Sequence, residues 1–300
     1  MKKLLVLFGL ILIGLYIFLS EIDTSDYKVE RSLWRVNNQY RKLTKKDPKF
    51  VPDNEFERIA NQYDEIVQNY PKAKLTPRIY LQIGNVYLLK KDFTRARESY
   101  LKIISKYPEN QELCAEALVG TAQTYERENN WTEALNIYEK VQDEYPLTMT
   151  GLNMPLYIAS YYQRNGDLTQ GEKAFDTAIS YYKDVSNRYP SSPMEFNAWR
   201  LLATCYFSRK NWREGVEVLG KILNNYPSQE YLNSARASLL IKFINTVSVT
   251  QLQNYDIPIG IYQEFINKHP QHPMTNILRQ MIKSLGELKS KNAVTNQKPG

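Results

Sequence analysis

Cysteine and histidine are scarce, two of each in 300 residues, and the chain holds only 12 glycines and 14 prolines. So few soft ligands cannot supply a common zinc cluster, and two thiols cannot build a disulfide framework. The low glycine and proline content excludes collagen-like and wholly disordered chains, while 43% hydrophobic and 24% charged residues suffice to bury a core. No G-x-S-x-G, P-loop or H-E-x-x-H pattern occurs, and the carboxylates are scattered along the chain instead of converging around a nucleophile. The sequence therefore presents no catalytic residue, no cofactor-binding residue and no metal site. His269-Pro-Gln-His272 reads as a loop, and Cys114 and Cys205 read as inert core thiols.

A basic stripe is missing too. The formal charge of +7 comes almost entirely from Lys2, Lys3 and residues 263 to 300, where six bases face two acids. The long middle is close to neutral, which leaves no surface for neutralising phosphates and excludes nucleic acid as a partner.

The first twenty residues differ from the rest. Lys2 and Lys3 precede Leu4 to Leu19, a stretch without a charge, and Glu21, Asp23 and Asp26 follow it. This reads as an uncleaved signal anchor that engages the membrane through residues 4 to 19, since no A-x-A-like site or lipid-accepting cysteine follows. The charge bias places the N-terminus inside. On this reading the chain makes a single pass through a membrane, and the remainder is extracytoplasmic.

What the chain has in quantity is tyrosine, 23 residues, and the tyrosines are ordered. Tyr70-Pro71, Tyr107-Pro108, Tyr145-Pro146, Tyr189-Pro190 and Tyr226-Pro227 recur at intervals of 37, 38, 44 and 37, with His269-Pro270 as a sixth variant. A period of this length marks one supersecondary unit stacked repeatedly. Four units align on a small residue, Gly84, Ala122, Ala159 or Ala203, followed three positions later by Tyr87, Tyr125, Tyr162 or Tyr206. Sixteen positions after the small residue stand Tyr100, Tyr138, Phe175 and Leu219. These are helical offsets in which small residues admit a neighbouring helix and bulky ones fill the space beside it. Asp92, Asn130, Asp167 and Asn211 mark the start of each second helix as N-caps, and the proline ends it. Seven extra residues before Pro190 lengthen one second helix by two turns, and Thr246 to Asp256 is irregular. Trp34, Trp131, Trp199 and Trp212 read mostly as packing residues.

The spacing resembles the tetratricopeptide repeat, most clearly in Tyr80-x-x-Ile83-Gly84-x-x-Tyr87 with Ala96, Tyr100 and Pro108, and in Trp199-x-x-Leu202-Ala203-x-x-Tyr206 with Gly215 and Pro227. The unit lengths are similar to those of bacterial envelope repeat proteins of the outer-membrane assembly lipoprotein type, without the lipid-attachment cysteine. The resemblance implies an all-α, right-handed α-solenoid of five to six helical hairpins behind an N-terminal membrane helix. Its parts are an anchor (1–22), a divergent first hairpin (23–71), the repeats (72–272), a capping helix (273–289) and a disordered tail (290–300). Within the cap, Ile277, Leu278, Met281, Ile282, Leu285 and Leu288 share one side.

Such repeats present their first helices on a concave face. The alignment puts Leu81, Asn85, Leu88, Val119, Gln123, Arg127, Gln163, Arg164, Arg200, Thr204 and Phe207 there, with Glu116 and Leu156 beside them. Apolar, amide and arginine side chains together suit a protein partner or peptide segment. The two-carboxylate clamp known in chaperone-tail receptors is absent, because Leu81 stands where a base is needed and Thr204 where an asparagine is. The function the resemblance implies is a non-enzymatic, membrane-tethered scaffold for protein–protein interaction in a bacterial envelope complex, single-pass in the inner membrane with the repeats in the periplasm or otherwise extracytoplasmic, needing no cofactor, with edge-on stacking of copies as a route to a homo-oligomer. Its rivals are a permanent structural subunit of a large membrane-associated enzyme assembly or filament, and a biogenesis factor for outer-membrane assembly or cell division.

Overall fold

A computed structural model describes residues 25–228 and 230–295. Among the described residues there are thirteen α-helices, one short 3-10 turn and no strand. In chain order the helices are α1 (Ser25–Leu43), α2 (Asp53–Asn69), α3 (Thr76–Lys90), α4 (Phe93–Lys106), α5 (Gln111–Arg127), α6 (Trp131–Glu144), α7 (Met149–Arg164), α8 (Leu168–Arg188), α9 (Pro193–Ser208), α10 (Trp212–Asn225), α11 (Ser234–Thr250), α12 (Asp256–Lys268) and α13 (Met274–Thr295). Thirteen helices exceed what five to six hairpins hold, and α13 is the unpaired one. It runs past the end expected at 289, and residues 296–300 lie outside the described residues.

The hinge within each repeat is the same four times over. One residue between the two helices takes a left-handed backbone: Lys91 (φ 68°), Asn129 (φ 59°), Gly166 (φ 77°) and Lys210 (φ 60°). The next amide then reaches back to the carbonyl of the recurring tyrosine, Asp92 to Tyr87, Asn130 to Tyr125, Asp167 to Tyr162 and Asn211 to Tyr206, at 2.9 to 3.0 Å. This closes the first helix in the manner of a Schellman motif. Asp92, Asn130 and Asp167 then cap the second helix by accepting from Arg95, Glu133 and Gln170 amides. Asn211 makes no such side-chain bond. Proline ends the second helices as its chemistry requires, with the preceding aromatic residue at the C-cap in a non-helical conformation.

The described residues form two compact units that divide between residues 151 and 152, inside α7. The core of the first runs from Val29 to Ala117 and centres on fully buried Tyr63 and Tyr100. Asp53, Glu57, Lys90, Asp92 and Arg95 form a charged network beside it that ties α2 to α3 and α4. The core of the second runs from Leu152 to Leu285 and holds fully buried Phe175, Tyr182, Tyr262 and Phe265. The seven extra residues before Pro190 make α8 21 residues long against 14 for α4, α6 and α10.

Several expectations need correcting. Trp34 is 67% exposed and packs in no core, unlike the partly buried Trp131, Trp199 and Trp212. On α13 the buried stripe is narrower than the sequence pattern: Leu278 and Leu285 are inside, while Ile277 and Leu288 face solvent. The stretch read as irregular from Thr246 is helical as far as Thr250. The expected N-terminal membrane helix gains no support, since among the described residues no helix is long and apolar enough to cross a membrane. Residues 4 to 19 lie outside the described residues.

A candidate partner-binding cleft

In the first unit α3 and α5 pack directly on each other, and Gly84 and Gly120 both lie against the Tyr100 ring of α4. In the second unit an open cleft of about 560 Å³ separates α9 from α11. Its walls carry Phe207 on α9 and Phe243 on α11, whose rings meet edge to face at 5.0 Å.

Spacing puts the lining residues on facing stripes. Arg200, Thr204 and Phe207 fall four and three residues apart on α9, and Arg236, Leu239, Leu240 and Phe243 fall on one face of α11. Leu219 and Ile222 of α10 form the floor, and Phe196, Tyr231 and Leu232 close one end. That end is a three-ring cluster, with Phe196, Tyr226 and Tyr231 centroids 5.2 to 5.3 Å apart. Burial, aided by the hydrogen bond that Tyr226 donates to Glu195, raises its hydroxyl pKa. Asn233 starts α11 by accepting from the Arg236 amide at 3.0 Å, which fixes where the stripe begins.

The floor is buried but the α11 wall is not: Leu239 is 68% and Phe243 45% exposed. Two neighbouring large apolar side chains held in water above an apolar floor form a patch of the kind that marks interaction sites. The polar groups of the lining are few. Thr204 donates its hydroxyl to the Arg200 carbonyl at 3.0 Å, Arg200 donates to Asn197 Oδ1 at 2.8 Å, and Arg236 reaches the Tyr231 carbonyl at 3.5 Å.

Of the eleven residues expected on a concave face, the cleft gathers three: Arg200, Thr204 and Phe207. Gln163 and Arg164 are exposed near the end of α7, where the Gln163 amide donates to the Ser208 carbonyl at 3.1 Å. In the first unit Leu81 and Leu88 are buried core residues and offer no contact surface. Asn85 is half-buried, and its Oδ1 accepts from Tyr100 at 2.8 Å; Val119 and Gln123 are half-buried, and Arg127 is exposed. The α11 wall is missing from the expected face because the four-unit alignment on Gly84, Ala122, Ala159 and Ala203 does not reach α11. Its signal is present in the sequence as Arg236-x-x-Leu239-Leu240-x-x-Phe243, apolar residues at helical spacing after an asparagine cap.

Comparison with known proteins agrees with this architecture. One tetratricopeptide-repeat family matches residues 79–110 and 116–148, and a second matches 158–230. The chain carries tetratricopeptide repeats over these residues. Its repeats support a scaffold for protein–protein interaction, and the repeat fold is typically non-catalytic. Among curated proteins the chain is similar to the bovine BBSome complex member BBS4, 25% identical over 225 residues, covering 66% of this chain and 40% of that protein. Among solved structures it is similar to the C-terminal part of a repeat protein from Cytophaga hutchinsonii (12% identity, 90% and 89% of the two chains, TM-score 0.43). A second is a repeat protein from Parabacteroides merdae (14% identity, 83% and 99%, TM-score 0.33).

The expected localisation is corrected. A single pass through a bacterial inner membrane finds no spanning helix among the described residues, and the curated relative is a bovine BBSome member and not a bacterial envelope protein.

Proposed function

We propose that this repeat protein is a non-catalytic scaffold that holds a segment of a partner protein in the cleft between α9 and α11. The observation that carries the reading is the pair Leu239 and Phe243, large apolar side chains left in solvent beside a buried apolar floor. Covering them removes apolar surface from water, and the floor is already built, so the partner rather than the cleft bears most of the ordering cost. Arg200, Thr204 and Phe207 would contact the partner from α9. Asn85, Val119, Gln123 and Arg127, and Gln163 and Arg164, are proposed as further contacts within their own units.

The test is site-specific photocrosslinking in the native cell. A benzoylphenylalanine at Leu239 should give one covalent adduct to a defined protein, while the same group at Leu168, 70% exposed on α8, should not. Adducts from Leu168 alone, or from neither, would refute the reading.

A second reading, a permanent subunit of a larger assembly, is favoured by the relative's membership in a complex. It differs in stoichiometry. A permanent subunit copurifies one to one through high dilution, whereas a segment bound transiently at micromolar strength dissociates.

A further inference from the structure

We infer that the segment held in the cleft is an amphipathic α-helix that carries a carboxylate toward Arg200 and Arg236. This rests on the cleft being the partner site and adds the chemistry of what enters it.

The sign comes from the lining. Among the described residues its ionised side chains are Arg200 and Arg236, with no aspartate or glutamate in the lining. Both arginines are exposed, and the acceptors they have are neutral: the Asn197 amide and the Tyr231 carbonyl. Some helix-surface arginines elsewhere in the chain meet acids, as Arg78 meets Glu116, Arg95 meets Glu57, Arg97 meets Glu128 and Arg209 meets Glu172 and Asp176, while Arg58, like these two, meets a neutral amide, that of Gln39. Two guanidinium groups without an acid, at the mouth of an apolar cleft, are poised for charge-assisted bonds to an incoming carboxylate. A basic segment would instead bring like charges together.

The helical form comes from what the walls cannot do. An extended peptide needs donors and acceptors for its own amides and carbonyls. Beyond the two guanidinium groups and the Tyr231 hydroxyl the cleft offers few: its aliphatic hydroxyl, Thr204, already donates to a backbone carbonyl, and among the described residues no side-chain amide lines it. A helix satisfies its backbone internally and presents only side chains. Its apolar ridge fits the groove between two other helices, where Phe207, Leu239 and Phe243 supply the opposing ridges.

Fluorescence anisotropy on the full chain tests both parts. The probes are three stapled helical peptides with identical Leu and Phe stripes, differing at one flanking position that holds Glu, Gln or Lys. The Glu peptide should bind about tenfold more tightly than the Lys peptide at low salt, with Gln between them, and the gap should shrink as salt rises. The double substitution Arg200→Glu with Arg236→Glu should invert the order, and Arg200→Gln with Arg236→Gln should erase it. A proline-interrupted Glu peptide should lose binding by at least about tenfold. Equal binding of Glu and Lys peptides, an order unmoved by charge reversal, full binding of the proline peptide, or no binding by any probe would each overturn the inference. If Leu239 still crosslinks to a partner in those cases, the cleft remains the partner site and only its stated chemistry fails.

Discussion

Tyr182 of α8 sets its hydroxyl against the backbone of α7 beside Pro155, accepting from the Leu156 amide at 3.1 Å and donating to the Leu152 carbonyl at 3.0 Å. Pro155 lies inside the helix and lacks the amide that would continue the ladder. The ring of Tyr182 is fully buried, and burial raises its pKa, so the hydroxyl keeps the proton that it donates. Tyr182→Phe should therefore destabilise the second unit by roughly 1–3 kcal/mol, the cost of stranding buried backbone groups. Pro155→Ala removes the ring that crowds the preceding turn, so that the Leu156 amide can close on the Leu152 carbonyl directly and the tyrosine should matter less in that background, with a coupling of about 1 kcal/mol or more in a double-mutant cycle. Chemical denaturation of the four proteins measures it, and additive effects would disprove the link.

The extra heptad that supplies Tyr182 was legible as seven residues before Pro190. Its purpose was not, because a hydroxyl meeting the backbone of another helix depends on tertiary position and leaves no mark on spacing. Caps and tyrosine packing were readable for the same reason that they repeat: each is set by chemistry within one unit. The left-handed residues at Lys91, Asn129 and Lys210 went unseen because no glycine announces them. Trp34 misled, since an aromatic residue on a helix does not by itself say which side is inside. Half of the cleft was legible. Arg200, Thr204 and Phe207 follow from the repeat alignment, whereas the α11 wall lies beyond the last well-formed repeat.

Acid should loosen the first unit through Glu57. Arg95 donates to both of its oxygens, at 2.9 and 2.7 Å, and Lys90 also donates to it. The Arg95 hydrogen bonds, aided by Lys90 and opposed by partial burial, hold the carboxyl below its usual range. A carboxyl depressed in the folded state stabilises the fold above the unfolded pKa and ceases to do so as pH falls through the folded value. Glu57→Gln should cost about 1 kcal/mol at pH 7, since the group is a third exposed and partly screened. The difference between the two proteins should narrow once pH drops below about 4. Denaturation midpoints at pH 7 and pH 3.5 give the comparison; a gap unchanged by acid would show that Glu57 acts through packing alone.

Neither thiol should react in the native protein. Cys205 and Cys114 are fully buried in α9 and α5. Burial pushes the Cys205 thiol up to about 12, against a smaller opposing effect of Arg209, and raises Cys114 too. Thiolate is the reactive form, so at pH 8 Cys205 is ionised at roughly one part in ten thousand. Ellman's reagent should titrate no thiol rapidly in the folded chain and two after denaturation. One fast equivalent in the native state would contradict the burial of one of these helix faces.

One substitution, glycine to alanine, should act with opposite sign at different helices. At Gly84 and Gly120 an added Cβ would overlap the Tyr100 ring, which is fully buried and tied through its hydroxyl to Asn85 Oδ1 at 2.8 Å. The ring cannot swing clear without breaking that bond, so each alanine should destabilise by roughly 1–3 kcal/mol despite its better helix propensity. At Gly260 in α12 and Gly286 in α13 an added Cβ meets nothing within 4 Å, and neither residue has a positive φ. There only propensity and unfolded-chain entropy count, and alanine should stabilise by about 0.4–1 kcal/mol. Replacing Tyr100 with leucine removes the obstructing ring, so Gly120→Ala should cost less in a Tyr100→Leu background than in the native one. Thermal unfolding of this set separates steric conflict from propensity. If all four alanines shift the midpoint the same way, the close packing of Tyr100 against α3 and α5 is not what those glycines serve.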